Sequence, residues 1–314
     1  MKGESDKGYL VPDQAALDRV EAEMAAERGL YKECYITSPD GLKLHYRDYA
    51  PTCDTPGTPV FCLPGLTRNS HDFHPLARAL QSGRRVIAID YCGRGKSARN
   101  QPPERIAPRR LIGDAIAVMQ ASHIGPCVAI GTSLGGFIAC ALAVIRPIAF
   151  KGLVMNDAGP EIGHEALERI KSAVAAPPNP TDWLDAVSHE HIRFDNMPLL
   201  SAEDWILLSM GSYEPVPDGP GLRPAYDLSL STGTAGPPPE AEELWRLFLG
   251  TGYMPTLLIR GSESTFLREQ TAQDMLSRHP RLTLTHADGF GHAPPIFYEP
   301  WATEIRDLLD RIDG

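Results

Sequence analysis

Ser133 stands in Gly131-Thr132-Ser133-Leu134-Gly135, after an apolar run (Val128-Ala129-Ile130) and before a helical stretch of small residues reaching Ile145. A serine hydroxyl becomes a useful nucleophile only when a base takes its proton. A sharp strand-to-helix turn would thrust it out of the chain, and Gly131 and Gly135 keep that turn free of side chains. The helix N-terminus then aims unpaired N–H groups at any charge developing there. The best base is His292, in Gly289-Phe290-Gly291-His292-Ala293-Pro294-Pro295, a loop after the last expected strand. Open α/β sheets carry their chemistry at such strand ends. His286, expected within a strand, and His71, expected at a pocket rim, are weaker candidates. Oxyanion donors would be the backbone N–H of Leu134 and that of Leu66, which follows the Pro64-Gly65 turn. Together these groups would carry an acyl group on Ser133.

The elements that must position them read as alternating strands and helices. Short apolar runs at Val60–Leu63, Val86–Ile89, Val128–Ile130, Gly152–Met155, Thr256–Ile259 and Leu282–Thr285 are expected strands. Helical patterns near 73–81, 109–122, 134–145, 267–278 and 300–312 separate most of them. Continuous apolar strands imply a mostly parallel sheet covered on both faces, the doubly wound α/β class. A hairpin is expected over 33–49 around a Ser-Pro-Asp-Gly turn, and an amphipathic helix from about Asp13 to Arg28.

Between Pro160 and about Leu249 the alternation stops. Short helices are expected at Glu165–Ala175, Asp182–Ser188, Ser201–Met210 and Glu240–Leu249, with proline-rich joins at 177–180, 215–224 and 237–239. This reads as a helical lid, giving an extension at 1–30, a core at 31–160 and 246–314, and a cap at 161–245. Trp183, Trp205 and Trp245 fall in or at the lid, out of 4 tryptophans in the chain. Trp183 and Trp205, with Arg68 after the oxyanion loop, are the expected substrate contacts, in a largely apolar pocket.

Composition narrows the partners. A net charge of −10 argues against nucleic acid and anionic membranes, leaving a small molecule as the expected partner. The 6 cysteines form no Cys-x-x-Cys pair and several sit in apolar runs, as buried thiols in a reducing compartment would. Residues Met1 to Lys7 lack the apolar run of a secretory signal, and no run of about 18 apolar residues could span a membrane. A cytoplasmic protein is expected, and self-association is left open.

Taken in order, Leu63-Pro-Gly-Leu, Asp90-Tyr-Cys-Gly-Arg-Gly-Lys-Ser, Gly131-Thr-Ser-Leu-Gly-Gly, Asn156-Asp-Ala-Gly-Pro, Arg260-Gly and Gly291-His-Ala-Pro resemble the α/β-hydrolase superfamily, in particular its capped serine esterase-like branch. The Gly93–Ser97 loop lacks the glycine spacing of a phosphate cradle and matches a structural turn of that family. The resemblance implies Ser133 as nucleophile and His292 as base, with no metal or organic cofactor. It fails at the acid: where relatives carry Asp, in the segment Arg260-Gly-Ser-Glu-Ser-Thr-Phe-Leu267, this chain has Thr265. Asp157 could substitute, since dehalogenase-like relatives carry their acid after the corresponding strand; so could Glu263, or no carboxylate at all. The implied activity is hydrolysis of a carboxylic ester, lactone or related acyl bond. The alternative is an impaired or non-hydrolytic member: a binding module, lyase or acyltransferase.

Overall fold

The computed structural model describes residues 11–194, 197, 199–232 and 240–314. The proline join at 237–239 and the residues at 1–7 lie outside them.

A helix, α1 (Gln14–Ala26), precedes an antiparallel pair, β1 (Lys32–Thr37) and β2 (Lys43–Tyr49). The alternation follows: β3 (Val60–Leu63), α2 (His74–Leu80), β4 (Val86–Asp90), α3 (Pro108–Ala121), β5 (Cys127–Thr132), α4 (Leu134–Ile145) and β6 (Phe150–Asn156). Next come α5 (His164–Ala175), α6 (Trp183–Arg193), α7 (Ala202–Ser212) and a two-stranded hairpin, β7 (Tyr213–Pro215) with β8 (Leu222–Pro224). The chain then returns through α8 (Ala241–Leu249), β9 (Thr256–Gly261), α9 (Glu269–Arg278), β10 (Leu282–Ala287) and α10 (Trp301–Asp313).

The main sheet is 8-stranded, in the order β1-β2-β4-β3-β5-β6-β9-β10, and parallel from β4 to β10. Because successive side chains of a strand point to opposite faces, its apolar runs feed two cores. Val60, Cys62, Val86, Ala88, Val128, Ile130, Leu257 and Ile259 pack with α1, α2 and α10. Their neighbours Phe61, Leu63, Ile87, Ile89, Ala129 and Leu258 pack with α3, α4, α8 and α9. Both faces are covered, which is why the central stretches of these strands are continuously apolar.

Two features depart from the expectation. The small β7–β8 hairpin was not anticipated, since three-residue strands carry no periodicity. And the expected boundary at 245/246 falls inside α8, whose Leu244, Trp245 and Phe248 are buried, the latter two in the second core with residues of α4. The amphipathic stripe of α8 reads alike whether it covers a sheet or a cap. The segment from α5 to β8 shares the first core through Val187, Met197, Leu200, Trp205 and Ile206. The N-terminal α1 ties the two layers together, with Arg19 on Glu203 of α7 and Glu23 and Glu27 on Arg78 of α2. All 6 cysteines are free thiols. Among the described residues, no helix is long and apolar enough to cross a membrane.

Candidate active site

β5 ends at Thr132 and α4 begins at Leu134, so Ser133 alone makes the turn. Its φ is 53°, a left-handed backbone that serine adopts only under constraint. The turn is tight enough to require both glycines. A Cβ on Gly135 would lie 1.9 Å from the Leu63 carbonyl oxygen, and one on Gly131 would lie 2.3 Å from that of Gly135. Ser133 N–H donates to the Asn156 carbonyl at 2.9 Å, pinning the elbow to the end of β6.

His292 reaches the elbow from the loop after β10, with Nε2 2.9 Å from Ser133 Oγ. Its Nδ1 lies 2.7 Å from Asp157 Oδ2. Facing a carboxylate, Nδ1 carries the ring proton, and the Nε2 lone pair is left for the hydroxyl. Phe266 stacks on the imidazole with ring centroids 3.9 Å apart, so the ring is fixed in plane as well as in tautomer.

Asp157 is fully buried, where a carboxylate is tolerated only if its oxygens are bonded. Gly261 N–H donates to Oδ1 at 3.1 Å and Ser264 Oγ to Oδ2 at 2.6 Å. Asp157 also has a positive φ, 47°. Sheet topology explains why an acid can come from here. β6 and β9 are neighbours with Asn156 opposite Ile259, so the loops leaving them run side by side and both face His292. The carboxylate therefore enters from β6, while the loop after β9 supplies its donors. Thr265 is exposed and accepts from Arg169 of α5. Glu263 is exposed too, its Oε1 3.4 Å from Ser262 Oγ, while among the described residues the side-chain hydrogen-bond partners of His292 are Asp157 and Ser133.

On the oxyanion side, Leu134 is the first residue of α4, so its N–H has no partner within the helix. Leu66 lines the cavity over Ser133. A Cβ on the preceding Gly65 would stand 3.8 Å from that of Ser133. Arg94, from the Gly93–Ser97 loop, is buried and donates from Nε to the Leu66 carbonyl at 2.8 Å. Asp90 closes the same loop. Burial alone would raise its carboxyl, but His45 and the N–H groups of Lys96 and Ser70 hold it down to about 2. That loop is structural and shapes the oxyanion side from behind.

The cavity above Ser133 has a volume of about 270 Å³. Ile170, Phe194, Leu207, Ile296 and Phe297 give it apolar walls. Neither expected tryptophan lines it. Trp205 is fully buried in the first core, edge-on to His191, and the half-buried Trp183 packs beside Ala186, Tyr213 and Leu222. Short helices lying on a sheet hold together by burying large side chains, and Trp205 is taken up that way. Arg68 does line the cavity, but it donates to both oxygens of Asp72, to Ser212 Oγ and to the Leu208 carbonyl. It ties the loop after β3 to α7. His71 also lines the cavity; burial, then the charges of Arg47, His74 and Arg68, keep it well below the usual imidazole range. His286 is on β10, bonded to Glu269.

Ser264 and Phe266 are the functional neighbours that sequence reasoning missed. In the segment 260–267 the missing Asp at 265 is the visible departure, and Ser264 beside it gives no spacing signal of its bond to Asp157.

The sequence profile of the alpha/beta hydrolase fold matches residues 58–204. A solved alpha/beta hydrolase from Novosphingobium aromaticivorans is 34% identical, with a TM-score of 0.83 over 90% of this chain and 99% of that one. This chain belongs to the α/β-hydrolase family. Among its relatives, the 3-hydroxybutyrate-oligomer hydrolase of Cupriavidus necator is 28% identical over 84% of this chain and 91% of its own length. The 2-(acetamidomethylene)succinate hydrolase of Mesorhizobium japonicum is 26% identical over 73% and 79% respectively. These hydrolases support a hydrolase of the family as the coarse class of this enzyme.

Proposed function

We propose that this α/β-hydrolase is a capped serine esterase that cleaves a carboxylic ester or related acyl bond of a small, largely apolar substrate. The reading is carried by one observation, the unbroken hydrogen-bond relay from Ser133 Oγ through His292 to the buried Asp157. Ser133 Oγ attacks the acyl carbon as His292 Nε2 takes its proton. The tetrahedral oxyanion is held by the N–H groups of Leu66 and Leu134. His292 returns the proton to the leaving oxygen, and the acyl group stays on Ser133. Water, deprotonated by His292, then releases the acid. Asp157 stabilises the imidazolium by charge, which the Thr265 hydroxyl could not. The cavity volume suits a short acyl compound, and the named substrate of the Cupriavidus relative, a 3-hydroxybutyrate oligomer, is of that kind.

The test is hydrolysis of short and medium p-nitrophenyl esters by the wild type and by Ser133→Ala. Loss of about 10⁵-fold or more in kcat is expected. Equal rates in the two proteins would overturn the acyl-enzyme route.

A further inference from the structure

Arg169 has no part in the chemistry above, yet this exposed residue of α5 lines the cavity. The other arginines there are engaged: Arg68 with Asp72, and Arg193 with Thr67 Oγ1 at 2.7 Å and Glu190 at 3.7 Å. The carboxylates of the wall lie elsewhere too, for Asp72 faces Arg68, Asp204 closes a capping box with Ser201, and Glu263 lies by Ser262. Among the described residues, Arg169 rests on one partner, the neutral hydroxyl of Thr265. An Asp at 265, which the family resemblance leads one to expect, would cancel its charge; Thr gives it only a neutral partner at the cavity's exposed side.

The position of that charge is also defined. Gly163 N–H donates to the Phe266 carbonyl at 3.0 Å, clamping the start of α5 onto the loop that carries Thr265. Phe266 in turn stacks on His292. Arg169 thus stands on the His292 side of the cavity. His292 delivers its proton to the leaving oxygen, so the leaving alcohol lies on that side.

We propose that Arg169, steadied by Thr265, binds a free carboxylate on the alcohol part of the ester, so that the preferred substrates are acyl esters of short hydroxy acids. The proposal rests on the acyl-transfer reading for which side of the substrate it names. Ser133 Oγ bonds to the acyl carbon and the C–O bond to the hydroxy acid breaks. The His292 proton goes to the departing oxygen, and the carboxylate keeps its charge throughout.

The test compares 3-(butanoyloxy)butanoate with 3-(butanoyloxy)butanamide, which share a scissile ester and differ only in that charge. The wild type is expected to prefer the carboxylate by about tenfold or more in kcat/KM, mainly through KM. Arg169→Gln should collapse the ratio toward one. Thr265→Asp should do the same with Arg169 still in place, because the new carboxylate occupies the guanidinium. Calorimetric binding of the carboxylate ester to Ser133→Ala, with and without Arg169→Gln, reads the anion site apart from catalysis. A similar tenfold weakening is expected. Ser133-dependent turnover of both esters at equal rates would overturn the anion site and leave the acyl-transfer reading standing. Arg169-dependent binding without turnover of either ester would do the reverse. A preference that survives both substitutions would assign the carboxylate to another group.

Discussion

The floor of the cavity and its roof use similar residue types to different ends. On the floor, polar groups from three loops converge on one relay: Ser133 from the elbow, His292 after β10, and Asp157 after β6 with donors from the loop after β9. In the roof, the large and charged residues mostly serve the cap itself. Trp205 fills the first core, Ser201 and Asp204 cap α7, and Arg68 bolts α7 to the loop below. A parallel sheet fixes where its loops emerge, so chemistry can be placed there to a fraction of an ångström. A cap of short helices must first secure its own packing, and it has few side chains to spare for the substrate.

Three substitutions or conditions would sharpen or break that contrast. The largest effect is expected from the roof: Trp205→Ala should lower unfolding free energy by about 3–5 kcal/mol, as other buried Trp truncations do. Its KM for a neutral ester should hardly move at a temperature where it stays folded. A raised KM with unchanged stability would make Trp205 a substrate contact after all. Next, Phe266→Leu should lower kcat by about tenfold or more, because a tilted imidazole spoils the alignment with Ser133; stopped-flow acylation rates would show it, and no change would make the stack incidental. The smallest effect concerns His71. Its imidazole is neutral in the fold because burial and nearby cations oppose the proton, whereas the unfolded chain protonates near pH 6.5. Its contribution is complete above that pH and falls away as pH drops below it, by at most about 1.4 kcal/mol per pH unit. Melting temperatures at pH 7.5 and 5.5 should therefore diverge more in the wild type than in His71→Gln.

The same contrast decides what was legible in the sequence. Each expected core strand lies within an observed one; the inner strands were legible because burial on both faces favours apolar runs, and the edge strand β10 through its alternating Leu and Thr. The glycine-flanked Ser133 and the His292 loop were readable because tight turns leave little choice of residue. Asp157 was harder. Its claim over Glu263 depends on β6 lying beside β9, and strand order is a long-range property that spacing does not carry. The cap helices were anticipated to within a few residues, as at α5 (165–175 expected, His164–Ala175 found). What each side chain faces was not, and so Trp183 and Trp205, expected at the substrate, lie away from the cavity lining, while Arg68 lines it. Amphipathic periodicity says that a stripe is buried, never against what.

The account turns on Asp157 as the partner of His292, and the direct measurement is ester kcat/KM for Asp157→Asn beside Glu263→Gln. Asp157→Asn is expected to fall by about 10⁴-fold while its fold is retained, since the amide would hold the wrong imidazole tautomer. Glu263→Gln should stay within about threefold of wild type, a change of less than 1 kcal/mol in transition-state stabilisation. A collapse in Glu263→Gln with Asp157→Asn near wild type would contradict the account.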